Sequence, residues 1–178
     1  MIDLNSKIEG ASSGGEDFSP IPNNTYHVIV EKVSDWKSEV VDINVNQRDE
    51  HNKIVKDGDG KNIKVSLKSQ TLYKANVTFT VTAGDFKGRK VFLNLSTHPD
   101  IIFRTQNLLW AVGKASIQLG DLQRAIVGLP LDITVEIKKR PSKVVDKTSG
   151  ATTYVDKDFN DVTAFAKPSL IPNEELDV

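Results

Sequence analysis

The strongest constraint on the fold is a pair of alternating runs separated by one tight connection. Apolar and polar side chains alternate from Leu72 to Val81, and the alternation resumes from Val91 to Leu95. A period of two puts every second side chain on one face of a strand, so both runs predict half-buried β-strands. Gly84 and Gly88, in the connection at 82–90, tolerate the positive φ of a sharp reversal. We therefore predict an antiparallel hairpin.

Similar alternation recurs along most of the chain, and helical spacing is prominent at one place. A turn signal at 57–60 lies between alternating runs and predicts a long hairpin arm over 40–68. A capping pattern at 97–100 precedes an apolar stripe from Ile101 to Val112 that predicts the main helix. Further strands are predicted at 26–33, 131–137, 153–155 and 159–165.

The predicted order is several strands, one helix and then more strands. An OB-fold has this order, because its helix lies between the third and fourth strands. We therefore predict a mainly β protein with an OB-fold-like antiparallel barrel and one main helix inserted between strands. A β-sandwich with a capping helix is the alternative that the pattern leaves open.

Charge divides the chain into a body and two acidic ends. Residues 1–20 carry a net charge of −3 and a Gly/Ser-rich stretch, and residues 167–178 carry −2 and two prolines. We predict a disordered N-terminal arm (1–20), one domain (21–166) and an acidic C-terminal tail (167–178). The domain holds 21 basic and 17 acidic residues, a charge of +4 that suits an anionic partner.

Aromatic and cationic side chains occur together, as single-stranded nucleic-acid binding requires, because bases stack on aromatic rings and cations contact phosphates. Phe86 is predicted at the tip of the 82–90 turn, and Phe92 on the polar face of its strand. The stacking candidates are Trp36, Phe86, Phe92 and Tyr154, and the phosphate candidates are Lys74, Lys87, Arg89, Lys90, Lys138, Lys139 and Arg140.

Each aromatic candidate also has a structural interpretation. Phe86 could fold back onto the sheet, Trp36 could pack at the rim of the barrel, and Tyr154 could serve as a cross-strand partner, which is the favoured interpretation for that residue.

Catalytic and metal signals are absent from the sequence. The chain contains no cysteine, which excludes disulfides, thiolate metal sites and a cysteine nucleophile. Its three histidines lack metal-ligand spacing, and Asp57–Gly60 lacks the remaining ligands of a helix–loop–helix calcium site. No phosphate-binding glycine loop occurs. We predict a protein that is not an enzyme and that carries no cofactor or metal.

Four short motifs occur together along the chain: Ile21–Tyr26, Ala83–Val91, Asp121–Leu122 leading to Val127–Leu131, and Asp158–Val162. In combination they resemble a family of small phage proteins long catalogued as a domain of unknown function. The resemblance covers roughly residues 20–166. The family is encoded near phage replication and recombination genes, and the resemblance implies a single-stranded-DNA-binding OB-fold. The chain departs from the family at 47–61, where its connection is longer.

The expected function is single-stranded DNA binding in phage replication or recombination, with little sequence preference. Since neither a signal-like start nor an apolar run of membrane length occurs, we expect a soluble protein with no membrane partner, located in the host cytoplasm if phage-encoded. The acidic tail at 173–178 would recruit replication or recombination proteins, or compete with DNA for the groove.

The alternative is a protein-interaction module, such as a phage anti-defence or assembly protein, that uses the 40–68 β-arm. Exposed strand edges and this arm also make self-association an option for the chain.

Overall fold

A computed structural model of the protein describes residues 19–169. The strands in this part of the chain are β1 (Asn24–Val33), β2 (Lys37–Asn46), β3 (Lys64–Val81), β4 (Lys90–Ser96), β5 (Pro130–Val145) and β6 (Thr152–Ala166). Two helices, α1 (Phe103–Ala111) and α2 (Leu122–Ile126), lie between β4 and β5, with a 3₁₀ turn at Leu119–Asp121. The prediction of a mainly β fold with a helix inserted between strands is confirmed.

The strands form one antiparallel sheet that curls into a half-barrel. Its body has the order β4–β3–β1–β5–β6. β2 continues β1 along one side of β3. Val33 at the end of β1 pairs with Val77 of β3, and Lys37 at the start of β2 pairs with Lys74 of β3. β4 and β6 end the body sheet, and they approach each other without a hydrogen-bonded ladder in the described part of the chain.

The alternating residues of the sequence build the core. Val77 and Phe79 of β3 face Val91 and Leu93 of β4, and all four are buried. Leu108 of α1, together with Leu122 and Ile126 of α2, packs onto the same cluster. Each buried apolar side chain of this size contributes roughly 1.5–3 kcal/mol to the free energy of unfolding.

The alternation from Leu72 to Val81 predicts Tyr73 on the same inward face as Val77 and Phe79, but Tyr73 is 41% exposed and Leu72 is buried instead. These residues lie where the pairing of β3 with β4 ends and its pairing with β2 begins. The face of β3 that carries Val77 and Phe79 points into the core, but at Tyr73 the same face of the strand lies outside the core.

Two long ribbons extend from the body. β2 and the first half of β3, with the loop at 47–63, form the arm at 40–68. Residues 136–161 of β5 and β6 form a second ribbon, called here the β5–β6 ribbon. The sequence predicted shorter strands at 131–137 and 153–155, because a ribbon exposed on both faces imposes no apolar alternation.

The predicted tails fall mostly outside the described residues. Their inner ends are held by the body: Ser19 accepts hydrogen bonds from Arg89, and the Ser169 amide donates to Asp132 Oδ2 at 3.0 Å.

Candidate nucleic-acid interface

The edges of β4 and β6 flank a slot of about 220 Å³. Phe92 alternates with the buried Val91 and Leu93, so it lies on the outer face of β4 and is 50% exposed. Phe159 of β6 lines the same slot. The Arg140 guanidinium stacks over the Phe159 ring, 3.8 Å from its centroid. The slot thus combines two aromatic rings with a stacked cation, the combination that holds single-stranded bases.

A buried carboxylate positions two further cations at the slot. Asp161 lies on β6 and lines the slot, with 8% of its side chain exposed. Lys138 Nζ is 2.5 Å from Asp161 Oδ2, and Arg104 Nη1 is 3.5 Å from Asp161 Oδ1. Removing the carboxylate of a buried pair leaves its partners uncompensated and is destabilising. Asp161 therefore fixes the direction of both cations and offsets part of their positive charge.

Lys90 also lines the slot, but its charge is already compensated. Its Nζ lies 2.5 Å from Glu31 Oε2 and 3.0 Å from Thr80 Oγ1. The hydrogen bonds from Lys90 and Thr80 hold the pKa of the Glu31 carboxyl below its ordinary value. A phosphate at Lys90 would compete with this carboxylate, so we expect Lys90 to contribute less than Arg140.

Strand alternation assigns the cations of the β5–β6 ribbon to two different faces. Strand alternation puts Lys138, Arg140 and the paired Lys157 on the same face as Phe159; we call this the slot face. Lys139 lies on the opposite face, as does Tyr154, which is 70% exposed and pairs with Lys143. The Lys138–Arg140 cluster of the sequence is therefore divided between two surfaces.

A second cavity of about 690 Å³ adjoins the slot, and Asn94 of β4 lines both. Lys74 lines this cavity and forms an ion pair with Glu39. The outer face of β4 thus connects two predicted residues, Phe92 in the slot and Lys74 in the cavity. Asn76 of β3, opposite Asn94, also lines it, and we call it the asparagine cavity.

Trp36 takes the structural role that the sequence left open. Its Nε1 donates to the Leu119 carbonyl at 2.7 Å, and its half-buried ring packs against the core. This contact ties the turn between β1 and β2 to the segment that leads into α2.

Phe86 adopts the structural alternative that the sequence left open, with its ring folded back onto the body. Its ring packs edge to face against Tyr26, with centroids 5.9 Å apart, and it is half-buried. Gly84 (φ +75°) and Gly88 (φ +86°) curl the turn so that the ring returns to the body. Lys87 is exposed, while Arg89 hydrogen-bonds with Ser19. Neither these two cations nor Phe86 line the slot.

Phe86 lines a third cavity, at what we call the turn end of the body, together with a histidine–aspartate pair. His27 Nδ1 lies 2.7 Å from Asp132 Oδ1, and both side chains are largely buried. Burial raises the pKa of Asp132, but hydrogen bonds from Ser169 and His27 prevail and hold it below its ordinary value. The charged carboxylate therefore anchors the segment that follows β6.

Sequence reasoning missed Arg104, Lys157 and Phe159. Arg104 belongs to the amphipathic helix, and only the fold brings it to β6. Phe159 and Lys157 alternate on one strand with Asp161, a period-two signal that was available but ambiguous without the register of β5.

No known protein-family model matches the chain, and a search of curated proteins finds no match. None of the helices within residues 19–169 is long and apolar enough to cross a membrane. Over the same range, no group of three histidine or acidic side chains is placed to hold a metal ion.

Proposed function

We propose that the protein binds single-stranded DNA, with the slot and the slot face of the β5–β6 ribbon as the binding surface. The observation that carries this proposal is the grouping of Phe92, Phe159 and Arg140 at a sheet edge. Base–aromatic stacking contributes about 1–3 kcal/mol per base, so two rings supply useful affinity. Every base has an aromatic face and every nucleotide has a phosphate, so binding of this kind has little overall sequence preference.

The strand order supports assignment to the OB-fold. If β1 with its continuation β2 counts as the first strand, then β3 is the second, β4 the third, and α1 lies before the fourth. This is the position of the helix in that fold. The arm and the β5–β6 ribbon then correspond to the connections between strands one and two and between strands four and five, which bind oligonucleotides in OB-folds.

The cellular role that we propose is phage DNA replication or recombination, with no catalytic activity of the protein itself. This role is supported by the sequence resemblance described above. Recruitment of replication or recombination proteins by the acidic residues 173–178 belongs to the same proposal.

Fluorescence anisotropy with a labelled oligo-dT of about thirty nucleotides tests DNA binding. We expect binding that weakens with salt and that duplex of equal length does not displace. Each neutralised phosphate contributes roughly 0.7 to the salt slope for single strands, so Arg140 and Lys157 predict a slope of about −1.4. Lys138 should add less, because Asp161 offsets part of its charge. The absence of binding at micromolar protein and low salt would refute the proposal.

A protein-interaction module is the second candidate, because the arm exposes apolar side chains. Val40 is 67% exposed, Val65 is 41% exposed and Ile54 is 38% exposed. A two-stranded ribbon is at best marginally stable alone in water, so a partner strand or surface on the arm would stabilise it. An arm-mediated protein complex would resist salt, whereas a DNA complex held through phosphates would not.

A further inference from the structure

The asparagine cavity is large enough to hold one nucleotide. Its volume of about 690 Å³ lies within the range of about 300–1,000 Å³ that is typical of small-molecule sites. Ile101, which is 39% exposed, lines it beside the largely buried Leu72 and supplies an apolar surface. A flat heterocycle that leaves water would cover this surface.

Two asparagines supply hydrogen-bonding groups beside the apolar surface. Asn76 and Asn94 are directly opposite each other on β3 and β4, and both are exposed. Within residues 19–169, neither side-chain carboxamide makes a hydrogen bond. Each carboxamide carries one acceptor oxygen and a two-proton donor. A pair of this kind beside an apolar surface suits a planar ligand that both donates and accepts along one edge.

Three charged side chains, Lys37, Lys74 and Asp35, line the cavity, and Lys74 is paired with Glu39. Lys37 is therefore the cation that suits the phosphate accompanying a base. His98 lines it too, and its Nδ1 accepts a hydrogen bond from the Asp100 amide at 3.1 Å. In the neutral ring, Nε2 therefore carries the proton and is a donor.

We propose that the asparagine cavity binds one adenine of the strand held in the slot. The inference rests on the proposed single-stranded DNA binding and adds a local base preference to it. An asparagine carboxamide matches adenine N6 and N7, one a donor and the other an acceptor, whereas guanine presents two acceptors on that edge. A purine also covers more of the apolar surface than cytosine or thymine does.

The path of the strand supports this placement. Phe92 and Asn94 are two residues apart on the outer face of β4, a separation of roughly 7 Å along a strand. Asn94 borders both the slot and the cavity. A strand with one base stacked on Phe92 can therefore extend its neighbouring base towards the asparagines.

Competition anisotropy tests the proposal with thirty-nucleotide thymine tracts that carry adenines, or cytosines, at the same spaced positions. A good bidentate contact discriminates between bases by roughly 5- to 150-fold, so we expect the adenine tract to compete about tenfold better. Asn76→Leu and Asn94→Leu should each reduce the preference below about twofold, and Asn76→Leu, which lies outside the slot, should leave oligo-dT affinity unchanged. Asn44→Leu is the matched control, because Asn44 is an exposed asparagine on β2 outside the cavity.

The outcomes separate this inference from the proposed function. Equal competition by both tracts with intact oligo-dT binding overturns the adenine site alone, as does a preference that survives in both leucine variants. Failure of the unmodified protein to bind any oligonucleotide overturns the proposed function. If the variants do not fold, NMR of the unmodified protein with millimolar dAMP decides, because the side-chain amides of Asn76 and Asn94 should shift more with dAMP than with dCMP. Equal shifts would overturn the adenine site.

Discussion

The turn at 82–90 and the slot contain the same kinds of residue with opposite outcomes. Both combine a phenylalanine with lysine and arginine, yet Phe86 packs against Tyr26 while Phe92 remains half-exposed beside Arg140 and Phe159. Phe86 is in a glycine-containing turn, and the turn is curled so that the ring packs against the body. Phe92 is in the middle of a strand, where alternation with buried neighbours directs it outward. Strand register therefore predicts aromatic exposure better than position in a loop.

The largest effect that we expect is at the slot aromatics. Phe92→Ala combined with Phe159→Ala removes two stacking surfaces and should weaken oligo-dT binding by about 2–6 kcal/mol, at least roughly thirtyfold, in fluorescence anisotropy. Tyr154→Ala, on the opposite face of the β5–β6 ribbon, is the matched control and should have little effect. Equal losses in the double variant and the control would place the DNA elsewhere.

Phe86 should affect stability and leave DNA affinity unchanged. Phe86→Ala removes a half-buried ring and should lower the free energy of unfolding by about 1–3 kcal/mol, below the ~3–5 kcal/mol of a fully buried phenylalanine. Urea denaturation measures the loss, and oligo-dT anisotropy on the folded variant checks binding. Lys87→Ala, at the neighbouring exposed position, controls for disturbance of the turn. If Phe86→Ala had normal stability and weakened DNA binding, the turn at 82–90 rather than the slot alone would contact DNA.

Cations on the two faces of the β5–β6 ribbon should differ in their effect on the salt dependence of DNA binding. Arg140→Gln with Lys157→Gln removes two charges from the slot face and should reduce the salt slope by about 1.4, at roughly 0.7 for each phosphate contact. Lys139→Gln with Lys143→Gln removes the same charge from the opposite face. The measurement is oligo-dT affinity over a salt series. An identical change in both pairs would mean that net charge, rather than a defined path, attracts DNA.

Local periodicity predicted the body of the fold, because the runs at 72–81 and 91–95 bury one face and expose the other. It could not predict the full lengths of β5 and β6, whose outer halves have two exposed faces and hence no apolar alternation. Strand alternation likewise predicted only part of the candidate site. Phe92 was found from its position on a polar face, whereas Arg104 and Asp161 meet only through packing of α1 beside β6. The sequence left two interpretations of Phe86 open, because the sequence of a turn does not reveal where its tip packs.

The smallest expected effect is a pH dependence at the turn end that leaves the slot unchanged. Because hydrogen bonds from Ser169 and His27 hold the pKa of Asp132 below its unfolded value, the carboxylate contributes stability above that unfolded value. The contribution declines as pH falls through the folded pKa. Loss of charge-assisted hydrogen bonds of this kind costs about 1–3 kcal/mol, so Asp132→Asn should lower stability at pH 7 and flatten its acid dependence.

Urea midpoints at pH 7, 4 and 3 for Asp132→Asn and the unmodified protein measure this contribution. Asp85→Asn is the control, since Asp85 is an exposed carboxylate that lines the same cavity. The two proteins should differ most at pH 7 and converge towards pH 3, because protonation of Asp132 removes the charge that the substitution removes. Oligo-dT affinity at pH 7 should be equal in both, since the pair lies outside the slot. A constant difference at all three pH values would show that Asp132 acts through packing rather than through its charge, and a loss of DNA affinity would connect the turn end to the interface.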